Sequence, residues 1–398
     1  MRPPSSTTAE CYTRSVQRIA VPDPRIAFEG AVELEAGPTG IVARRLDSRW
    51  RYQFPPEVEF LASSPSGVRL RFSTDADSVG IEIMATVIQI GDIAPRPSVV
   101  DLVIDAKLVA SASTTAGTVV VIDPLNPANI RFEPGEPAVV QLDAACSHAR
   151  IVEVWLPSSA LIEVRAVHVP DGAIVEAAAP DRRVRWVHHG SSISHCMEAH
   201  GPARTWPAAA ARVADVHLTN LGLAGQCHLD QFTARTIRDV RADVLSLKVG
   251  INIVNADSLR LRTFASALHG FLDTVREGHP TTPFLVVSPI VCPAAEDRPG
   301  PTPTGADGMV QAVGSEANAA AGALTLRQIR TIVADVVAVR VRAGDTNLHH
   351  LDGLALFDQS DIADLPDGLH PNGDGYERIG ERFNRLAFGP GAPVALVR

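Results

Sequence analysis

Alternation of apolar and polar residues dominates the first 170 positions. Val68 to Phe72 reads V-R-L-R-F and Val79 to Met84 reads V-G-I-E-I-M. A period of two puts apolar side chains on one face of a strand and polar ones on the other. Val99 to Val109, Val119 to Ile122, Val139 to Leu142, Val152 to Leu156 and Leu161 to Val169 continue the series, rich in Val and Ile. Branched side chains of this kind suit extended backbone. Pro, Gly, Asp and Asn separate the runs, as in N-P-A-N at 126–129 and P-G-E-P at 134–137. Many short strands with turn signals between them predict an antiparallel β-sandwich, jelly-roll-like, over residues 1–175. Trp50, Tyr52 and Phe54 alternate as one face of a further strand. That spacing favours a structural or pocket-shaping role over glycan binding.

The pattern changes near residue 175. Val175 to Arg183, with its Ala run and Pro180, reads as a linker. Over 184–398, short apolar runs alternate with helical segments. Val184–His188, Val216–Asn220, Val244–Val249 and Phe284–Ile290 read as strands apolar on both faces. Helices are predicted over Ala203–Ala214 and Ser258–Glu277. In the second, Leu261, Phe264, Leu268, Phe271, Leu272 and Val275 recur at helical spacing. Leu326, Ile329, Val333, Val336 and Val337 mark another. Strands buried on both faces and separated by helices predict a parallel sheet covered on both sides, an α/β/α domain. Cys292 to Ala323 fits neither pattern. A stretch this long without clear periodicity is a functional cover or is disordered, and its place after a strand's carboxyl end favours a substrate-facing cover.

Composition narrows the function. The 398 residues suit two domains better than one core. A net charge of −9, with no Lys/Arg-rich run, argues against a nucleic-acid partner. Met1 to Ala9 lacks the basic start and apolar core of a secretion signal. No apolar stretch approaches the roughly 20 residues that cross a bilayer. The five cysteines, Cys11, Cys146, Cys196, Cys227 and Cys292, are odd in number and form no C-x-x-C pair. Reduced thiols and a cytoplasmic location are the expectation.

Open parallel sheets bind ligands at the carboxyl ends of their strands. The chemically informative residues fall there. The first strand runs into His188-His189-Gly190-Ser191-Ser192-Ile193, the second into Asn220-Leu221-Gly222-Leu223-Ala224-Gly225, the third into Gly250-Ile251-Asn252. Far along the chain comes Asp367-Gly368-Leu369-His370-Pro371. Acyl transfer through serine needs a hydroxyl, a base, a carboxylate that orients the base, and donors for the oxyanion. Asp367 and His370, three apart in one turn, bring carboxylate and imidazole together. Ser192 sits at a strand-to-helix turn. Gly225 offers a backbone N–H with no side chain in the way, and Asn252 a carboxamide N–H.

These blocks resemble the SGNH/GDSL family of esterases, lipases and acyltransferases. Gly190-Ser191-Ser192-Ile193 matches its G-D-S-[LI] block with Ser in place of Asp. N-x-G-x-x-G matches Asn220 to Gly225, G-x-N matches Gly250 to Asn252, and D-x-x-H-P matches Asp367 to Pro371. The match runs from about residue 184 to 388. The resemblance implies a flavodoxin-like three-layer catalytic domain and a triad of Ser192, Asp367 and His370. It also implies an oxyanion hole formed by the N–H of Ser192, Gly225 and Asn252. With the preceding sandwich, S-P-I-V-C-P at 288–293 and the segment after it, the chain looks like the two-domain actinobacterial subgroup. That subgroup includes a salicylyl-CoA-dependent acyltransferase of tetracycline tailoring.

His188, His189, His195 and His200 cluster near Cys196, and Cys227-His228 follows Gly225. No H-E-x-x-H or paired-Cys spacing is present, so no metal is expected, and no cofactor either. Packing and pocket lining are the expected roles of these imidazoles, and Cys196 and Cys227 read as small buried hydrophobes. Asn220 reads as a brace for its turn and Gly222 as a packing position. The expected reaction is hydrolysis of a small acyl ester or thioester through an acyl-serine. Transfer from an acyl-CoA thioester to an alcohol of a natural product is the alternative, and a non-catalytic binding module a third.

Overall fold

A computed structural model describes residues 15–123, 126–144 and 148–394. Cys11, Cys146 and the Met1–Ala9 stretch lie outside the described residues. In the N-terminal part the strands assemble into two sheets. One is centred on Ser78–Ile90 and Leu161–Pro170, the other on Arg69–Thr74, Arg150–Trp155 and Ser98–Ile104. Alternate residues from both sheets, including Leu70, Phe72, Ile81, Ile83, Val152, Val154, Ile162 and Val164, share one core. Each fully buried aliphatic side chain contributes roughly 1.5–3 kcal/mol, and the period-two pattern is what aims them inward.

The sandwich departs from the sequence reading in four places. Ser78–Ile90 pairs with Thr118–Asp123 in parallel, so the sheets are not purely antiparallel. Val99 to Val109 is not one strand but the hairpin Ser98–Ile104 and Lys107–Thr114. It turns on Asp105 and Ala106, both at positive φ, a two-residue turn without the Asn-Gly pair that usually announces one. N-P-A-N at 126–129 falls inside the strand Asn126–Glu133, where the pairing register breaks between Asn126 and Ile130. Trp50, Tyr52 and Phe54 do not line a strand face. Asp47 accepts from the Arg49 N–H at 2.9 Å and starts a 3₁₀ helix over Ser48–Gln53, and Trp50 and Phe54 pack against one cluster while Tyr52 turns away from it. Tyr52 is 79% exposed, and Phe54 packs on Phe232 with ring centroids 4.8 Å apart.

The predicted linker opens with a two-residue strand, Val175–Glu176, paired to Arg69–Thr74. Beyond it lies a five-stranded sheet in the order His217–Gly222, Arg185–Gly190, Val244–Lys248, Phe284–Val287, Leu348–Leu351. Every neighbouring pair is parallel. The chain starts at Arg185–Gly190, moves out to one edge, then crosses back and proceeds to the other. That reversal is the switch point where flavodoxin-like sheets open a crevice.

Helices Trp206–Ala214 and Gly373–Phe383 pack together on one face of the sheet. Gln231–Asp239, Leu261–Gly278 and Leu326–Arg342 pack together on the other. Trp186 stacks on Phe383 at 5.1 Å and meets Trp206 at 6.1 Å, filling the first interlayer. Among the described residues no helix is long and apolar enough to cross a membrane.

The two parts share a continuous interface. Leu46, Val58, Leu61 and Ala62 pack with Leu223 and Phe232, and Asp101 Oδ2 accepts from the Ala203 N–H at 2.9 Å.

Candidate active site

The strand Arg185–Gly190 ends in a sharp turn. Ser191, only 1% exposed, accepts from the Ile193 N–H through its Oγ at 3.3 Å and caps the one-turn helix Ser192–His195. Ser192 is thereby the first helical residue, with its side chain half-buried at the crevice. Its Oγ lies 2.9 Å from His370 Nε2. His370 Nδ1 lies 2.6 Å from Asp367 Oδ2. Asp367 Oδ1 accepts from the N–H groups of Leu369 and His370 at 2.8 and 2.7 Å. One short loop thus fixes the carboxylate and the imidazole relative to each other, and the turn after Arg185–Gly190 brings the Ser192 hydroxyl to the other ring nitrogen.

Cys292–Ala323 is structured and covers that loop. It carries the short helix Glu316–Ala320 and a bridge between Thr304 and Val310. The Val310 N–H donates to Asp367 O at 2.9 Å, and Cys292 Sγ donates to Gly368 O at 3.4 Å.

The second arm of the site follows His217–Gly222. Asn220 is a brace: its Oδ1 accepts from the Gly222 N–H at 3.0 Å, and its Nδ2 donates to Ser194 O at 2.9 Å and to Ser66 Oγ at 3.0 Å. Gly222 is there for packing, since a Cβ would stand 2.6 Å from the His195 backbone N. Gly225 is exposed, and a Cβ on it would meet nothing within 4 Å. Its φ of +72° is what favours glycine there. Asn252 is 3% exposed, in the first turn after Gly250. Its Oδ1 accepts from the Cys227 N–H at 3.0 Å, so the NH₂ is the end of the carboxamide left for another partner. That bond also joins the Gly225 loop to the third strand's end.

Electrostatics set the protonation states. Burial pushes the Asp367 carboxyl up, but the His370 ring and the N–H groups of His370 and Leu369 outweigh it and hold Asp367 down to about 2. For His370 burial acts downward. The hydrogen bond that the ring donates to Asp367 and the negative charges of Glu198 and Asp367 prevail, against Arg96, and the imidazole sits above its usual value. Glu198 accepts from the buried Tyr376 hydroxyl at 2.9 Å. Arg96, from the N-terminal part, and Glu198 line a cleft of about 340 Å³ whose other walls include Phe60, Ile88, Ile90 and Met197. Sequence reasoning missed Glu198, Tyr376 and Arg96, because none belongs to a local motif.

The remaining histidines and thiols have structural partners. Buried His188 lies between Ser246 Oγ at 2.7 Å and Ser194 Oγ at 2.8 Å, and buried His189 lies 2.7 Å from Leu221 O. Burial holds both imidazoles below their usual value. His195 lies 3.0 Å from Ser158 O, His200 lies 2.9 Å from Asp374, and His228 lies 2.8 Å from Ser258 Oγ. Cys196 and Cys227 are fully buried, and burial pushes the Cys227 thiol up to about 12. Among the described residues, Glu29, Asp181 and His217 are the group whose possible ligand atoms converge, within 4.8 Å of one another. They sit at the far end of the edge strand from the triad, where Glu29 already pairs with His217 and Asp181 with Arg183.

A switch-point crevice with these side chains defines a serine acyl-transfer enzyme of the SGNH/GDSL type, which acts on small-molecule acyl substrates. The GDSL-like lipase/acylhydrolase family model matches residues 183–295, and the model of the SsfX3 N-terminal domain matches residues 26–165. The chain therefore joins a GDSL-like acylhydrolase domain to an SsfX3-type N-terminal domain. Among solved structures it is similar to the salicylyl-acyltransferase SsfX3 from a tetracycline biosynthetic pathway. There the identity is 26%, with 92% of this chain and 95% of that one covered and a TM-score of 0.76. A GDSL-like lipase from Bacteroides ovatus shares the fold at 17% identity, 93% and 96% coverage and a TM-score of 0.67. So does a family two carbohydrate esterase from Clostridium thermocellum, at 12% identity, 91% and 97% coverage and a TM-score of 0.58. No curated protein matches by sequence.

Proposed function

We propose that the protein forms an acyl-enzyme on Ser192 and passes the acyl group from a small ester or thioester to a second nucleophile. The observation that carries this is the contact of Ser192 Oγ with His370 Nε2 at 2.9 Å, in line with the Asp367 bond on the other ring nitrogen. Oγ attacks the acyl carbonyl while its proton passes to Nε2. Asp367 holds the proton on Nδ1 and offsets the imidazolium charge. The N–H groups of Ser192 and Gly225 and the Asn252 carboxamide receive the oxyanion. Collapse expels the alcohol or thiol, which takes the proton from Nε2. Water or an alcohol then gives its proton to Nε2 as it attacks the acyl-serine, and on collapse Ser192 Oγ leaves, taking the proton back from Nε2 and releasing the acid or the new ester. We also infer a cytoplasmic location, from cysteines that form no C-x-x-C pair, and a catalytic domain beginning near residue 184.

Hydrolysis of a small acyl ester is the first form of this reaction. O-acyl transfer from an acyl-CoA thioester to a natural-product alcohol is the second. It is favoured by likeness to an acyltransferase over nearly the whole chain and by the segment that shields the Asp367 loop, since excluding water favours transfer. Ester and acyl-CoA panels, with and without alcohols, read by mass spectrometry of the Ser192 peptide, test both forms. An acyl adduct that resolves faster with alcohol marks a transferase, and one that resolves equally without it marks a hydrolase. Turnover with no adduct on Ser192 would sink the proposal.

Only neutral His370 accepts the serine proton. With its pKa raised, kcat/KM for an ester is expected to climb through an ionisation above the ordinary histidine value. Glu198→Gln removes an anion that favours the imidazolium, so the rising limb should move to lower pH. Arg96→Gln removes an opposing cation, so the limb should move to higher pH. Identical limbs in all three proteins would remove His370 as the titrating base.

A further inference from the structure

The open edge of the parallel sheet is closed by two arginines of the N-terminal part instead of another strand. His217–Gly222 is the edge strand, and it is buried along its whole length. Buried edge carbonyls need donors. Arg69 Nη1 donates to Leu218 O at 2.9 Å. Two and four residues further on, Arg45 Nη1 donates to Asn220 O at 3.1 Å and to Gly222 O at 2.5 Å. Its other nitrogens are anchored at home, Nη2 on Leu61 O at 2.7 Å and Nε on Ser64 O. Arg45 is fully buried, and among the described residues no carboxylate pairs with it. Burial draws its pKa down to about 9, which leaves a cation at neutral pH held by carbonyl dipoles alone.

We propose that Arg45 is a positioning residue for the oxyanion side of the acyl-transfer site, with Ser66 as a lesser support of the same strand end. The inference rests on the acyl-serine reading above. Gly222 is where the strand gives way to the turn that carries Gly225. Leu223 N–H, next along, donates to Gly190 O at 2.9 Å, and Cys227 N–H holds Asn252. A shift of the Asn220–Gly222 backbone therefore travels to both downstream oxyanion donors. Asn220 Nδ2, shared between Ser66 Oγ and Ser194 O, carries the same shift to the helix that begins at Ser192. Only a planar fork reaches carbonyls on both sides of the seam at once. Lysine keeps the charge but concentrates its donors at one point on a flexible stem.

The test compares the parent chain with Arg45→Lys, Ser66→Ala and Arg69→Lys. Arg69 caps the same edge at Leu218, farther from the Gly225 turn, and serves as the purely structural reference. Each protein is assayed for hydrolysis of p-nitrophenyl acetate, for fluorophosphonate labelling rate and for melting temperature, with rates normalised to the folded fraction. Arg45→Lys is expected to lower kcat and the labelling rate on the order of 10- to 100-fold with KM near the parent's, the scale of an ångström-level misplacement. Ser66→Ala should show a smaller loss of the same kind. Arg69→Lys should lower the melting temperature and keep kcat. If Arg45→Lys and Arg69→Lys both lose melting temperature and both keep kcat, Arg45 is structural and the inference falls. Should Arg45→Lys not fold, Ser66→Ala decides alone, and parent kcat in that variant overturns the inference. A parent chain that turns over the ester without taking the fluorophosphonate on Ser192 would instead defeat the acyl-serine reading itself.

Discussion

Ser192→Ala is expected to abolish fluorophosphonate labelling and to reduce ester turnover by about 10⁴- to 10⁶-fold, the cost of deleting a nucleophile from a triad. Ser191→Ala should keep most of both. The two hydroxyls are adjacent in sequence but face different surroundings. Ser192 Oγ stands 2.9 Å from His370 Nε2 at the half-buried crevice. Ser191 is 1% exposed and its Oγ bonds back to the Ile193 N–H at 3.3 Å. Removing a cap of that kind costs typically about 1 kcal/mol of stability, so Ser191→Ala should melt at a lower temperature while its folded fraction reacts. Labelling that persists in Ser192→Ala and vanishes in Ser191→Ala would move the nucleophile back by one residue.

Local signals made much of this architecture readable. Leu70, Phe72, Ile81 and Ile83 alternate because each sheet has one buried face, and that period survives in the sequence. Asp367 and His370 were legible as a pair because one turn holds both. The hairpin at Asp105 and Ala106 was not, since two non-glycine residues adopt left-handed backbone there and only the partner strand shows it. The fifth parallel strand, Leu348–Leu351, reads L-H-H-L, and its half-buried histidines hide an apolar run. Arg45 and Glu198 were illegible for a different reason. Arg45 reaches Gly222 across 177 positions, and Glu198 meets Tyr376 across 178. The first contact is set by how the two parts dock, the second by how Gly373–Phe383 folds back beside the turn after Ser192–His195, and no residue pattern around either position encodes them.

Asn252 is where sequence and structure together give a sharper expectation than either alone. As an oxyanion donor it should act in the transition state and not in substrate binding, so Asn252→Ala is expected to lower kcat by about 100- to 1,000-fold with KM near the parent's. The structure adds a second duty. Its Oδ1 accepts from the Cys227 N–H at 3.0 Å in a buried setting. Alanine strands that N–H, at a cost of about 1–3 kcal/mol, so the same variant should also melt at a lower temperature. Loss of both properties would leave the donor role entangled with the brace. Asn252→Asp separates them. A carboxylate still accepts from Cys227, which preserves the brace, but it supplies no donor and repels the developing negative charge. The expected result is a melting temperature closer to the parent than alanine gives, with kcat as low as alanine's or lower. If Asn252→Asp instead keeps parent kcat, the carboxamide NH₂ makes no contribution to the oxyanion. The stabilisation would then rest on the N–H groups of Ser192 and Gly225.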